Sequence, residues 1–131
     1  MDKEVWRTIE GIGNLYIEEE LVVGTQTVLF TCEDDLHNKY LFMTADYYEE
    51  EYIFSKIKKS VLIDMLEKKI PIAEALLSSG IVYTTYEDTD RLKLHKYKTE
   101  DFPSDKLPEG DVYYTITSGY VKEYMNKIKG E

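Results

Sequence analysis

At 131 residues, with 43% hydrophobic and 32% charged side chains, the chain has the length and core material of a single domain spanning 1–131, and too many apolar positions for a disordered acidic tail. Its formal net charge of -10 is uneven, because residues 1–55 hold 13 Asp and Glu against 3 Lys and Arg while residues 56–131 hold 13 against 13. That balance repels nucleic acid, and the one cysteine, Cys32, excludes an internal disulfide and fits a reducing compartment. No window approaches the ~18 apolar residues of a membrane span and no apolar stretch follows the charged start, so the chain reads as cytoplasmic and unprocessed.

From residue 14 to 23 the chain alternates, with Leu15, Ile17, Leu21 and Val23 on one side and Tyr16, Glu18, Glu20 and Val22 on the other. This is the period of a strand, and only Glu19 breaks its apolar side. Gly24 supplies a turn, and 26–33 alternates again, with Val28, Phe30 and Cys32 inward and Thr27, Leu29 and Thr31 outward. A polar turn at 34–38 leads to a third strand at 39–45, and 46–50 turns the chain into a fourth at 51–57. Links this short force antiparallel pairing, so the four strands form a meander.

Beyond residue 58 the period changes. Ser60 is placed to cap a helix with Leu62, Met65, Leu66 and Lys69 on helical spacing, and Lys68 and Lys69 suit its C-terminal dipole. Pro71 opens a second helix through Ile72, Ala75 and Leu76, and Gly80 ends it. Residues 81–86 and 91–98 form a further hairpin across Glu87-Asp88-Thr89-Asp90, with Arg91, Lys93, His95 and Tyr97 on one face and Leu92 and Leu94 on the other. A loop with Pro103, Pro108 and Gly110 precedes a short strand at 112–116, then a helix from Ser118 with a stripe of Tyr120, Val121, Tyr124, Met125 and Ile128. The expected architecture is α+β: an antiparallel sheet of five to seven strands with an inserted helical pair and a C-terminal helix. The helices are expected to cover one sheet face, leaving the other as an open acidic surface with Tyr16, Glu18, Glu20, Thr27 and Thr31.

Four segments carry a likeness. The runs Ile12-Gly13-Asn14-Leu15-Tyr16-Ile17-Glu18-Glu19 and Val28-Leu29-Phe30-Thr31-Cys32-Glu33, the strand Lys39-Tyr40-Leu41, and the helical stretch 60–76 ending Lys69-Ile70-Pro71-Ile72-Ala73-Glu74-Ala75-Leu76 resemble a family of small bacterial proteins of unknown function. The resemblance spans about residues 12–86 and rests on structural positions, with Ile12 where the family has Leu. It implies a bacterial origin and supports the fold, and it transfers no catalytic or binding residue.

Catalytic patterns are sparse. Cys32 with His37 or His95 is the one thiol and base combination, but Cys32 falls on the apolar side of its strand, where a thiol is an inert small hydrophobe. Two histidines and one cysteine give no zinc spacing, and Glu33-Asp34-Asp35 and Glu87-Asp88-Thr89-Asp90 lack the alternation and glycine of a calcium loop, so no cofactor or metal is expected. Among 26 acids, Glu19 and Asp64 alone stand in apolar surroundings that would raise a carboxyl pKa. Gly11-Ile12-Gly13 precedes a strand rather than following one, so it is no nucleotide loop. Arg91, Lys93, His95, Lys96 and Lys98 with Tyr97 make a basic strand, which a pI near 4.7 sets against direct nucleic-acid binding.

The reading these features favour is a non-enzymatic interaction module of inhibitor, immunity or regulatory type. It would dock a basic protein through an acidic face bearing Tyr16, Glu18, Glu20, Tyr47, Tyr48, Glu49, Glu50 and Glu51. The alternative is a small enzyme or ligand-binding domain with a carboxylate-containing cleft between sheet and helices, and a third is pairing of the last helix with a second copy in a homodimer.

Overall fold

Alternating strands of this composition can bury both of their faces, and here those of the meander do over part of their length. The structure is a computed structural model that describes residues 4–23, 27–46, 51–89, 91–115 and 118–131. Its elements are β1 (Arg7–Ile9), β2 (Gly13–Val23), β3 (Thr27–Asp34), β4 (Lys39–Asp46), β5 (Glu51–Lys56), α1 (Lys59–Leu66), α2 (Ile72–Leu77), β6 (Ile81–Asp88), β7 (Arg91–Lys98) and α3 (Gly119–Lys129). The α+β composition and the antiparallel meander agree with the sequence reading. The open sheet does not: the seven strands close in chain order into a barrel.

Closure depends on β1, which is too short to show a period in the sequence. It folds back on β2 through a turn flanked by Gly11 (φ +92°) and Gly13 (φ +103°), and its far edge meets β7 in a parallel contact at Ile9 and Leu92. No edge is then left to pair with another chain, among the described strands.

The inward set becomes the barrel interior, a cluster of Ile9, Leu15, Phe30, Cys32, Tyr40, Phe42, Tyr52, Phe54 and Leu92. Phe42 stacks on Phe54 with ring centroids 4.3 Å apart and on Phe30 at 5.2 Å, while Trp6 sets its edge against Phe30, Phe42 and Tyr52. Val23 and Val28 depart from that set and are exposed, and Leu21 departs to the opposite face. The face expected to be open is the one the helices cover: Leu21, Leu29, Leu41 and Ile57 pack beneath Leu62, Met65, Leu76, Val121, Tyr124 and Ile128. Tyr114 is buried in the same layer, its hydroxyl donating to the Leu21 carbonyl at 2.9 Å.

Local corrections follow from caps and loops. The α1 N-cap is Lys58, with Ser60 already in the first turn, whereas Ser118 caps α3 as expected by accepting from the Val121 amide at 3.4 Å. Residues 112–115 form no strand, and position 116 lies outside the described residues. On α3 the buried stripe is Val121, Tyr124 and Ile128, with Tyr120 exposed.

Ser55, on β5 opposite Leu41, is fully buried, and its hydroxyl has no hydrogen-bond partner among the described residues. Removing a buried unsatisfied hydroxyl relieves its desolvation penalty, so Ser55→Ala is expected to stabilise the fold by about 1 kcal/mol in urea denaturation.

Candidate functional site

Among the described residues, Glu18 leaves the expected acidic face. Opposite Ile17 and Glu19 of β2, the β3 partners Cys32 and Thr31 are consecutive, so Glu18 is an extra residue, a β-bulge in the strand. The bulge turns Glu18 under α3, where its side chain is 2% exposed. Tyr16, next along, is tied down locally: its hydroxyl donates to Asp35 Oδ1 at 2.7 Å, and that bond raises its pKa. Glu20 and Glu51 are exposed as expected, while Tyr47, Tyr48, Glu49 and Glu50 lie outside the described residues.

What the sequence did not reveal is the partner of Glu18. Lys39, at the start of β4, is 4% exposed in its side chain, and its Nζ donates to both Glu18 oxygens at 3.0 and 2.8 Å and to Glu33 Oε2 at 3.1 Å. From above, Tyr124 of α3 donates its hydroxyl to Glu18 Oε1 at 2.5 Å. With that proton committed, the 3.0 Å contact between Tyr124 and Thr31 has Thr31 as donor. A buried ammonium therefore holds β2, β3 and β4 together, and a phenol latches α3 onto them.

Titration follows the same contacts. Burial works against the charge on Lys39, but bonding to Glu18 and the further bonds to Glu33 and Glu131 outweigh it and hold its pKa above that of an ordinary lysine. Burial likewise opposes the Glu33 carboxylate, yet its bonds to His37 (2.8 Å) and Lys39 hold it well below the usual carboxylate range. Burial first, then the bond to Glu18, pushes the Tyr124 phenol up, so it keeps its proton.

The next two acids of that run serve the turn. Asp34 accepts from the amides of Leu36 and Asn38, from the Asn38 side chain and from the Tyr40 hydroxyl, which allows His37 its φ of +66°. Asp35 accepts from Tyr16 and Asn14.

The ion pair floors a cleft of about 660 Å³ between the barrel and the helices. Its walls come from the end of β5, the first residues of α1 and the last turn of α3, which bring Lys56, Lys58, Lys59 and Lys127 around the opening. Glu131 reaches in after α3, with Oε1 3.3 Å from Lys39 Nζ and its carbonyl accepting from Lys59 at 3.1 Å.

The other candidates are kept apart. Cys32 lies in the barrel interior with its pKa raised by burial, whereas His37 is on an exposed turn and His95 is stacked on Tyr86 at 4.4 Å on β7. Glu19 is half-buried, and burial with its acidic neighbours raises its pKa against the pull of Lys127. Asp64 lies on α1 and does not line the cleft. No group of three or more His, Cys, Asp or Glu among the described residues converges as metal ligands. On β7, Arg91, His95, Lys96 and Lys98 are exposed, and Lys93 and Tyr97 are half-buried.

Lys39→Met removes the cation from three carboxylates, one of them almost fully buried, and is expected to cost about 3–5 kcal/mol in urea denaturation. Adding Glu18→Met should return much of that loss, because the uncompensated buried charge disappears; an equal loss in single and double variants would show that packing alone is at stake. Comparison of the chain with family models, with curated proteins and with solved structures finds no match.

Proposed function

We propose that the protein is a non-enzymatic binding module, bacterial and cytoplasmic, whose recognition site is the polar cleft between the barrel and α3. The observation that carries this reading is the condition of Glu18. A general acid or base needs a carboxyl free to exchange a proton with substrate, whereas Glu18 takes two bonds from Lys39 and one from Tyr124. Its acceptor capacity serves the scaffold, which supports binding over proton transfer. The cleft is of the size that small-ligand sites have, and rigid elements hold its floor.

A panel of small metabolites, cationic, neutral and anionic, added to the 15N-labelled protein tests this. At least one compound should shift the amides of residues 39, 56–59 and 131, and Lys127→Trp, which fills the opening, should abolish those shifts. Shifts confined to other surfaces, or none at all, would count against the cleft.

Docking of a basic protein is a second reading, favoured by the topology. Successive strands are spatial neighbours in this barrel, so the charge asymmetry of the sequence becomes one of space: exposed Glu10, Glu20, Asp35 and Glu51 belong to the β1–β5 side, and exposed Arg91, Lys96 and Lys98 to β7. If so, a basic protein retained from a bacterial lysate should be lost when Glu20, Asp35 and Glu51 are changed to Gln or Asn, and released by moderate salt. Retention by both forms would sink that idea.

A further inference from the structure

On the reading of the cleft as a ligand site, we infer that its ligand is a compact polyanion, with two or more negative charges on phosphate or carboxylate groups, and that Glu131 is the tethered carboxylate it displaces. The argument is an accounting of charge. Five lysines and three glutamates line the cleft, so two positive charges remain among their side chains even before His37 is considered. The three carboxylates are all engaged: Glu18 and Glu33 by Lys39, and Glu131 by Lys39 and Lys59. The charges left over are all cationic. Lys56 and Lys58 make no ion pair among the described residues, and Lys127 has none beyond its coulombic attraction to Glu19.

This is a local reversal of sign in a protein of net charge -10, placed around a concavity rather than spread over a convex surface. Concavity matters because low-dielectric walls focus the field of the rim onto whatever enters. Lysines are flexible point charges, suited to an anion whose oxygens point in several directions more than to a planar bidentate partner.

Glu131 shows which chemistry the floor accepts. Its carboxylate rests 3.3 Å from the Lys39 ammonium and 4.0 Å from that of Lys59, and its side chain is 34% exposed, within reach of a competitor. A ligand anion taking its place gains both lysines without creating a buried unpaired charge, because the released glutamate moves to water.

The test is calorimetric titration at fixed ionic strength with pyrophosphate and, separately, citrate, with sodium chloride as control. The native protein should bind at least one of the two. Lys56→Gln with Lys58→Gln should weaken binding by about tenfold, and Glu131→Gln should tighten it about three- to fivefold, the size of a partly exposed ion-pair competition. Lys96→Gln with Lys98→Gln on β7, which removes the same charge elsewhere, should change nothing. Pyrophosphate alone binding assigns the site to phosphates, citrate alone to carboxylates, and either upholds a polyanion. The inference is overturned if neither binds beyond the chloride control, if both double variants weaken binding equally, or if Glu131→Gln has no effect. Should a neutral or cationic metabolite shift the cleft amides while both polyanions fail, the cleft remains a binding site and its polyanion ligand is wrong.

Discussion

A charge taken out of water must be matched in place, and the Lys39 ammonium is where this fold meets that demand. The partners come from separate parts of the chain: Glu18 from β2, Glu33 from β3, Glu131 from beyond α3, with Tyr124 completing the shell around Glu18. Each must arrive with its element in register, since a one-residue slip of a strand would turn its side chain to the other face. The ion pair adds little net stability over an apolar equivalent, but it penalises every arrangement in which a partner is missing. Register of three strands, seating of α3 and shape of the cleft floor thus hang on one side chain.

Much of the fold could be read from the residues. The meander was visible because alternation in 14–23 and 26–33 is nearly unbroken and the links are short. The helices near 60 and after 118 were visible because the period changes and Ser118 is a good cap. What could not be read was which side of the strands the helices take. A two-residue period separates the faces but does not label them; Leu29 on the outward face was a signal that this side, too, is buried, whereas Leu21 reaches it only through the register shifts of β2. Barrel closure was hidden in the three residues of β1.

The candidate site was less legible for a related reason. Glu18 stands in a run of three glutamates and Lys39 at the polar end of a strand, both ordinary solvent-facing contexts. A bulge that adds one residue leaves no mark on composition, yet it moves Glu18 from the acidic surface into the scaffold. The lysines of the cleft are scattered too: Lys56 ends β5, Lys58 is the N-cap of α1 and Lys59 its first residue, and Lys127 lies in α3, so only the packed fold makes them neighbours. Of the described residues expected on the acidic face, Glu20 and Glu51 are exposed.

The seam between β1 and β7 bears on how the chain assembles. Every other strand pair joins segments that follow one another, apart from the α1–α2 insertion, and can zip from a local turn. The seam joins Ile9 to Leu92, with one ladder pair and a 3.4 Å bond from the Glu10 amide to the Leu92 carbonyl to offset the closure entropy of the longest loop in the sheet. A contact so non-local and so thin forms after the meander, when the aromatic interior already offers Ile9 a place to bury. The first strand is then the bolt of the barrel rather than its foundation, the last piece in and the first to slip when the molecule breathes.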